Sequence, residues 1–156
     1  MASPLVLDTI IEMISQAVEK SRQDGLLQLD SVPEIEVERP STREHGDFAT
    51  SLPLRLTRAT RINPLVLAEA LVKNIPASEE VDLVEAAAPG FINFRLRDSW
   101  VQQQVETVRG LGAEYGNVDQ GRGRRMMVEF VSVNPTGPVH VGHTRGAVLG
   151  SSLSNI

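Results

Sequence analysis

The chain has 156 residues, 41% of them hydrophobic, and a formal net charge of −5; that is room for one ordinary domain, or a small domain plus part of another, and too apolar for disorder throughout. The charge argues against a generic polyanion binder while leaving a local basic face open, and the lack of cysteine excludes disulfides, thiolate zinc sites and cysteine nucleophiles. No basic leader precedes the first apolar run, Asp8 and Glu12 interrupt it, and no stretch nears the ~18 apolar residues of a spanning helix, so the expectation is a soluble cytoplasmic protein without a membrane partner.

Ser3 and Pro4 suit a helix start, a hydroxyl cap followed by a proline whose missing N–H costs nothing there. Ile10, Ile14, Ala17 and Val18 return at helical spacing, widened by Leu7 and Ile11, which predicts an amphipathic helix over residues 5–22 that ends at Asp24 and Gly25. Residues 32–39 alternate, with Ile35 and Val37 between Glu34, Glu36 and Glu38, the period of a half-buried strand. Pro33 places that strand at an edge or delays its entry into a ladder. Asp47 can cap a helix through Phe48, Leu52 and Leu56 that starts or bends near Pro53. Asn63 and Pro64 form a second cap, opening a helix over residues 65–72.

Residues 81–87 read as a strand, Pro89 and Gly90 as a turn, and the alternation of Ile92, Phe94 and Leu96 with Asn93, Arg95 and Arg97 as a two-faced strand. The short turn favours antiparallel pairing of these two. Asp98 caps a last helix reaching about residue 108. Residues 1–110 are thus an α+β domain of helices packed on a mostly antiparallel sheet.

Residues 111–125 change character: glycines recur at Gly112, Gly116, Gly121 and Gly123, and the segment reads as a linker. Arg122, Arg124 and Arg125 there could hold an anion or merely be a charged approach to the next element. The apolar run 126–131 reads as a central strand of a parallel sheet. A turn-rich loop and a helix over residues 139–149 follow. Strand, loop and helix in that order open a Rossmann-like nucleotide-binding unit, here expected to be truncated over residues 126–156. A strand and helix without their layer cannot bury their apolar faces. The tail is therefore expected to be mobile, to fold back on the first domain, or to self-associate with another copy.

His140 and His143 are three residues apart, with Gly142 between them, at a helix start that offers unpaired N–H groups. Such a pair can donate hydrogen bonds to phosphate oxygens. It could equally be two metal ligands, with His45 as the chain's one other histidine, or a surface pair beside a packing glycine. Neither a Walker A nor a dinucleotide-binding glycine pattern is present.

The four residues HVGH, from His140 to His143, resemble the HIGH signature of class I aminoacyl-tRNA synthetases. The longer string VEFVSVNPTGPVHVGHTRGA, from Val128 to Ala147, is specifically similar to arginyl-tRNA synthetase. HGDFA, from His45 to Ala49, and APGFINF, from Ala88 to Phe94, resemble that family's N-terminal additional domain. The resemblance implies an arginine–tRNA ligase as the parent enzyme, which makes an arginyl-adenylate from ATP and L-arginine and transfers it to tRNA-Arg. It implies ATP, with its Mg2+, against His140, Gly142 and His143, with the two histidines catalytic through stabilisation of phosphoryl charge. No metal is implied on protein ligands alone. It implies Glu129, Ser132 and Asn134 around the arginine, and a carboxylate at Glu129 suits the guanidinium fork.

Residues 1–110 are implied to touch the outer corner of tRNA, with Arg39, Arg43, Arg55, Arg58, Arg61, Arg95 and Arg97 as candidates. Arg55, Arg58 and Arg61 would share one helical edge, and Arg95 and Arg97 one strand face; all may equally be solvated. Phe48 and Phe91 could stack on bases, with core packing the favoured reading for each. The resemblance covers about a quarter to a third of a complete enzyme, without its Lys-rich second signature, so residues 1–156 alone are expected to be inactive. The alternatives are a free-standing RNA-binding module without catalysis and a small structural protein whose glycine-rich tail is a packing helix.

Overall fold

The computed structural model describes residues 6–29, 31–117, 121, 123–134, 136–138 and 140–155. It divides into two compact units, residues 1–116 and 117–156. The cap expected at Ser3 and Pro4 lies outside the described residues, as does Arg122.

In the first unit, α1 (Val6–Gln23) buries Ile10, Met13, Ile14, Ala17, Val18 and Ser21, the stripe that the spacing predicts, continued by one further turn. Its end is closed by backbone bonds from Gly25 to the Arg22 carbonyl and from Leu26 to the Ser21 carbonyl, with Gly25 at φ 77°. That pairing satisfies the last carbonyls and calls for a left-handed residue, which glycine supplies without strain. Ser21 is polar and fully buried, yet satisfied: its Oγ donates to the Ala17 carbonyl at 2.8 Å and accepts from Asn74 Nδ2 at 2.9 Å.

Residues 32–39 keep the predicted alternation, with Val32, Ile35 and Val37 half-buried against the core, but they form no strand. One bridge, Glu38 to Ala49, is their whole ladder. Alternation settles which side chains face inward; a ladder also needs a partner of matching length, and β1 (Phe48–Thr50) is three residues long.

The helix expected from Asp47 is corrected as well. The Asp47 N–H donates to the Phe94 carbonyl and its carboxylate accepts from the Leu96 N–H, both at 2.8 Å, so Asp47 is tied to the sheet. The helix α2 (Leu52–Thr60) starts after Ser51, with Pro53 in its first turn, where a missing N–H is harmless. Helix α3 (Pro64–Asn74) is capped as read: Asn63 Oδ1 accepts from the N–H groups of Leu65 and Val66.

Strands β2 (Val81–Ala87) and β3 (Phe91–Leu96) pair antiparallel, and the sheet order is β1-β3-β2 with every pairing antiparallel. One face of the sheet carries Phe48, Thr50, Ile92 and Phe94 into a core shared with Ile10 and Ile14 of α1, Leu52 and Leu56 of α2, and Leu67 and Leu71 of α3. Each fully buried apolar side chain among them contributes about 1.5–3 kcal/mol. The result is an α+β domain with its three helices on one side of an antiparallel sheet. Helix α4 (Asp98–Leu111) follows; its N-cap is Arg97, and Asp98 is its first residue.

In the second unit, residues 123–134 carry no strand. The predicted central strand is absent from the described residues: Met126 and Met127 are 87% and 95% exposed, and Val131 sits at φ 59°, which no regular strand passes through. Helix α5 (Val141–Ser154) forms, with His140 as its N-cap. Its one buried residue is Gly150, against which the Phe130 side chain lies so closely that a β-carbon there would collide with it.

Candidate functional site

The face of the sheet opposite the helices is open. Alternation along β3 sends Phe91, Asn93 and Arg95 to this side, and register places Ala49 and Glu85 beside Asn93 and Leu83 beside Arg95. The segment after Glu38 and the 3-10 turn Arg43–His45 rise along its rim. Between them lies a cleft of about 290 Å³ lined by Glu38, Ser41, His45, Ala49, Phe91 and Asn93, among others. A second, shallower depression shares His45 and Asn93 with it and runs on to Glu85 and Arg95. The turn leading into the sheet depends on Gly46: φ is 85°, and a β-carbon would come within 2.5 Å of the Phe94 carbonyl oxygen.

The volume is at the small end of ligand pockets. Its lining combines one aromatic face, an amide that both donates and accepts, an imidazole, a hydroxyl and a carboxylate. That set suits a single planar heterocycle, stacked on one side and hydrogen-bonded at its edge. Phe91 is half-buried and lines the cleft, whereas Phe48 is in the core. Sequence reasoning missed His45 and Asn93 as site residues. The signal was present for Asn93, a polar residue mid-strand between Ile92 and Phe94, and His45 opens the HGDFA string, but its place at the cleft is set by the turn.

The arginines separate into two groups. Arg55 donates to the Glu34 carbonyl at 2.9 Å and pairs with Glu36 at 2.8 Å, which fastens residues 34–36 to α2. Arg97 is not on the strand face: β3 ends at Leu96, and the Arg97 guanidinium turns back to the Glu79 and Val81 carbonyls and to Asp82. Arg39 lies 5.6 Å over the Phe48 ring. Arg43, Arg58, Arg61 and Arg95 are exposed, with no ion pair among the described residues. The expected helical edge is incomplete, because α2 stops at Thr60 and Arg61 is its left-handed cap at φ 57°.

In the second unit His140 and His143 are brought together. Their ring centroids are 3.7 Å apart and their planes 27° from parallel. His140 Nδ1 accepts from the Gly142 N–H at 3.2 Å, and Nδ1 of His143 is shielded with no hydrogen-bond partner among the described residues. A β-carbon at Gly142 would press on the His140 ring at 3.1 Å. Glu129, Ser132 and Asn134 are exposed, on irregular backbone. Among the described residues no group of three or more His, Asp or Glu could hold a metal ion, and no helix is long and apolar enough to cross a membrane.

Comparison with known proteins bears on both units. Residues 8–96 match the family model described as "Arginyl tRNA synthetase N terminal domain". An arginine–tRNA ligase of Dehalococcoides mccartyi is 48% identical over 151 residues, which is 97% of this chain and 27% of that protein. One from Halorhodospira halophila is 43% identical over 148 residues, 94% of this chain and 25% of that protein. The chain thus spans about a quarter of the length of the curated relatives it matches. Two solved structures share the fold. The arginyl-tRNA synthetase of Plasmodium falciparum has a TM-score of 0.74 at 15% identity, covering 98% of this chain and 28% of its own. The arginyl-tRNA synthetase of Thermus thermophilus has a TM-score of 0.61 at 22% identity, covering 96% of this chain and 22% of its own. With an α+β domain whose residues 8–96 match that family model end to end of its sheet, this chain belongs to the arginyl-tRNA synthetase family, in the part that forms the N-terminal domain.

Proposed function

We propose that this chain is the N-terminal part of an arginine–tRNA ligase, in which the first unit holds tRNA and residues 126–156 begin the class I catalytic domain. The observation that carries the reading is the 48% identity over 97% of the chain, which runs through both the open-faced domain and the signature histidines. The parent would activate L-arginine with ATP and Mg2+ and pass it to tRNA-Arg in the cytoplasm. His140, Gly142 and His143 would meet the ATP phosphates at the start of α5, where N–H groups and the helix field favour an anion. Mg2+ would arrive on the triphosphate. Glu129, Ser132 and Asn134 would face arginine once the rest of a parallel sheet orders their backbone.

The open sheet face is the tRNA contact in this proposal. The chain is acidic overall, so phosphate attraction spread over a surface is a weak source of affinity. A cleft for one unstacked loop base, between Phe91 and the edges offered by Asn93 and His45, supplies it through stacking and shape instead. Arg43 and Arg95 border the cleft and its extension and are placed to meet the flanking phosphates.

Titration of the chain with tRNA at two salt concentrations tests this. Phe91→Ala and Asn93→Ala should each weaken binding by about 1–3 kcal/mol, roughly five- to 150-fold. Wild-type affinity in both, with loss in Arg58→Ala or Arg61→Ala, would move the contact to the α2 edge. For the signature, adenylate formation by the longer enzyme unchanged in His140→Ala and His143→Ala would remove those residues from the ATP site. A longer reading frame that binds tRNA but forms no adenylate would leave the non-catalytic RNA-binding module as the reading.

A further inference from the structure

One wall of the cleft, with Glu38, Ser41 and His45, is carried by the segment that enters it from residues 34–38. Glu38 exchanges both backbone hydrogen bonds with Ala49, at 2.9 and 2.8 Å. In an antiparallel ladder such pairs recur at every second residue, so Glu36 would next meet Ser51 and Glu34 would meet Pro53. The ladder cannot continue that way. Ser51, at ψ 13°, has left the extended conformation on its way into α2, and Pro53 has no N–H to give. Side chains take the missing places. The Thr50 hydroxyl donates to the Glu36 carbonyl at 2.7 Å; Arg55 donates to the Glu34 carbonyl at 2.9 Å and pairs with the Glu36 carboxylate at 2.8 Å. Val32, Ile35 and Val37 press the segment onto the core, but apolar contact is non-directional and does not fix its position along β1. The directional bonds at Glu34, Glu36 and Glu38 do.

We propose that Arg55 is a positioning residue for tRNA: it holds residues 34–36 to α2, so that the wall bearing Glu38 and His45 stands opposite Phe91 and Asn93, and it touches no nucleotide itself. The inference rests on the base-binding role proposed above for the cleft. Two observations choose positioning over a phosphate contact. The same Arg55 nitrogen serves both the Glu34 carbonyl and the Glu36 carboxylate, so its charge is already matched. The segment it holds also carries exposed Glu34, Glu36 and Glu38 at alternate positions, a side from which a phosphate is repelled.

Titration with tRNA and amide exchange on the chain carrying Arg55→Ala, Phe91→Ala or both test this role. Arg55→Ala should weaken binding about tenfold at each salt concentration and leave the slope of log affinity against log salt unchanged, since no phosphate contact is lost. The double variant should bind at most about twofold more weakly than Phe91→Ala alone, because both changes undo the same cleft. Without tRNA, the Glu38 amide should exchange at least about tenfold faster in Arg55→Ala while the amides of α3 change much less, which separates a loosened wall from a weakened fold. A salt slope shallower by about 0.7–0.9 would make Arg55 a phosphate contact and overturn the proposal. Unchanged Glu38 exchange, or a loss in the double variant equal to the product of the single losses, would overturn it too. Weakening in Phe91→Ala with wild-type affinity in Arg55→Ala would sink the Arg55 role alone. Wild-type affinity in Phe91→Ala would sink the base-binding reading of the cleft, and the tRNA role of Arg55 with it.

Discussion

Arg97 turns its guanidinium and its backbone N–H onto the chain that precedes it. Its N–H donates to the Glu80 carbonyl at 2.8 Å, Nε to Glu79 and one terminal nitrogen to Val81, each at 3.2 Å, and the other terminal nitrogen pairs with Asp82 at 3.3 Å. The planar fork locks the first strand of the hairpin to the start of α4, which a point charge could not do. Because the side chain is 45% exposed, the ion pair itself is worth little and the carbonyl bonds carry the effect. Arg97→Ala should cost about 1–2 kcal/mol in urea unfolding, and Arg97→Lys should recover less than half of that. A neutral Arg97→Ala would mean that the clasp is idle. From sequence, an arginine two residues after another at a strand end is indistinguishable from a ligand-facing one; only the backward turn of the chain decides it.

At the scale of elements, the Asn63 cap and the β2–β3 hairpin were legible, while the caps at Asp47 and Asp98 and the ladder at residues 32–39 were not. Asn63 followed by Pro64 specifies its helix start locally, since a short oxygen acceptor and a proline at the first turn act within three residues. The alternation at 34–38 was equally legible as burial, but the segment has one bridge because a ladder depends on what lies beside it. Asp47 likewise had two possible sets of partners, a helix turn ahead of it or β3 behind it, and the fold delivers β3. Amide exchange should show the consequence: within residues 31–39 the Glu38 amide, bonded to the Ala49 carbonyl at 2.9 Å, should be the slowest. Uniform protection across the segment would indicate a continuous strand.

At the scale of the molecule, the chain is two units that part after Gly116. Arg124 and Arg125 are exposed on non-helical backbone, which is where proteases cut. Limited trypsin should cleave there before it reaches Arg43, Arg55 or Arg58, and the resulting N-terminal fragment should melt as the intact first unit does. First cuts within residues 39–61, or a fragment that has lost its transition, would show that the first unit does not stand alone.

The sequence by itself determined the helix stripes, the antiparallel hairpin, the inward faces, the histidine spacing and the family resemblance, because each is written within a few residues or in one continuous string. Tertiary structure alone decided which polar groups meet. It joined His45, Asn93 and Phe91 in one cleft and drew Arg55 to Glu36 and Arg97 to Asp82. Those pairings join residues from 2 to 48 positions apart, and no local preference selects among the many partners that such separations allow.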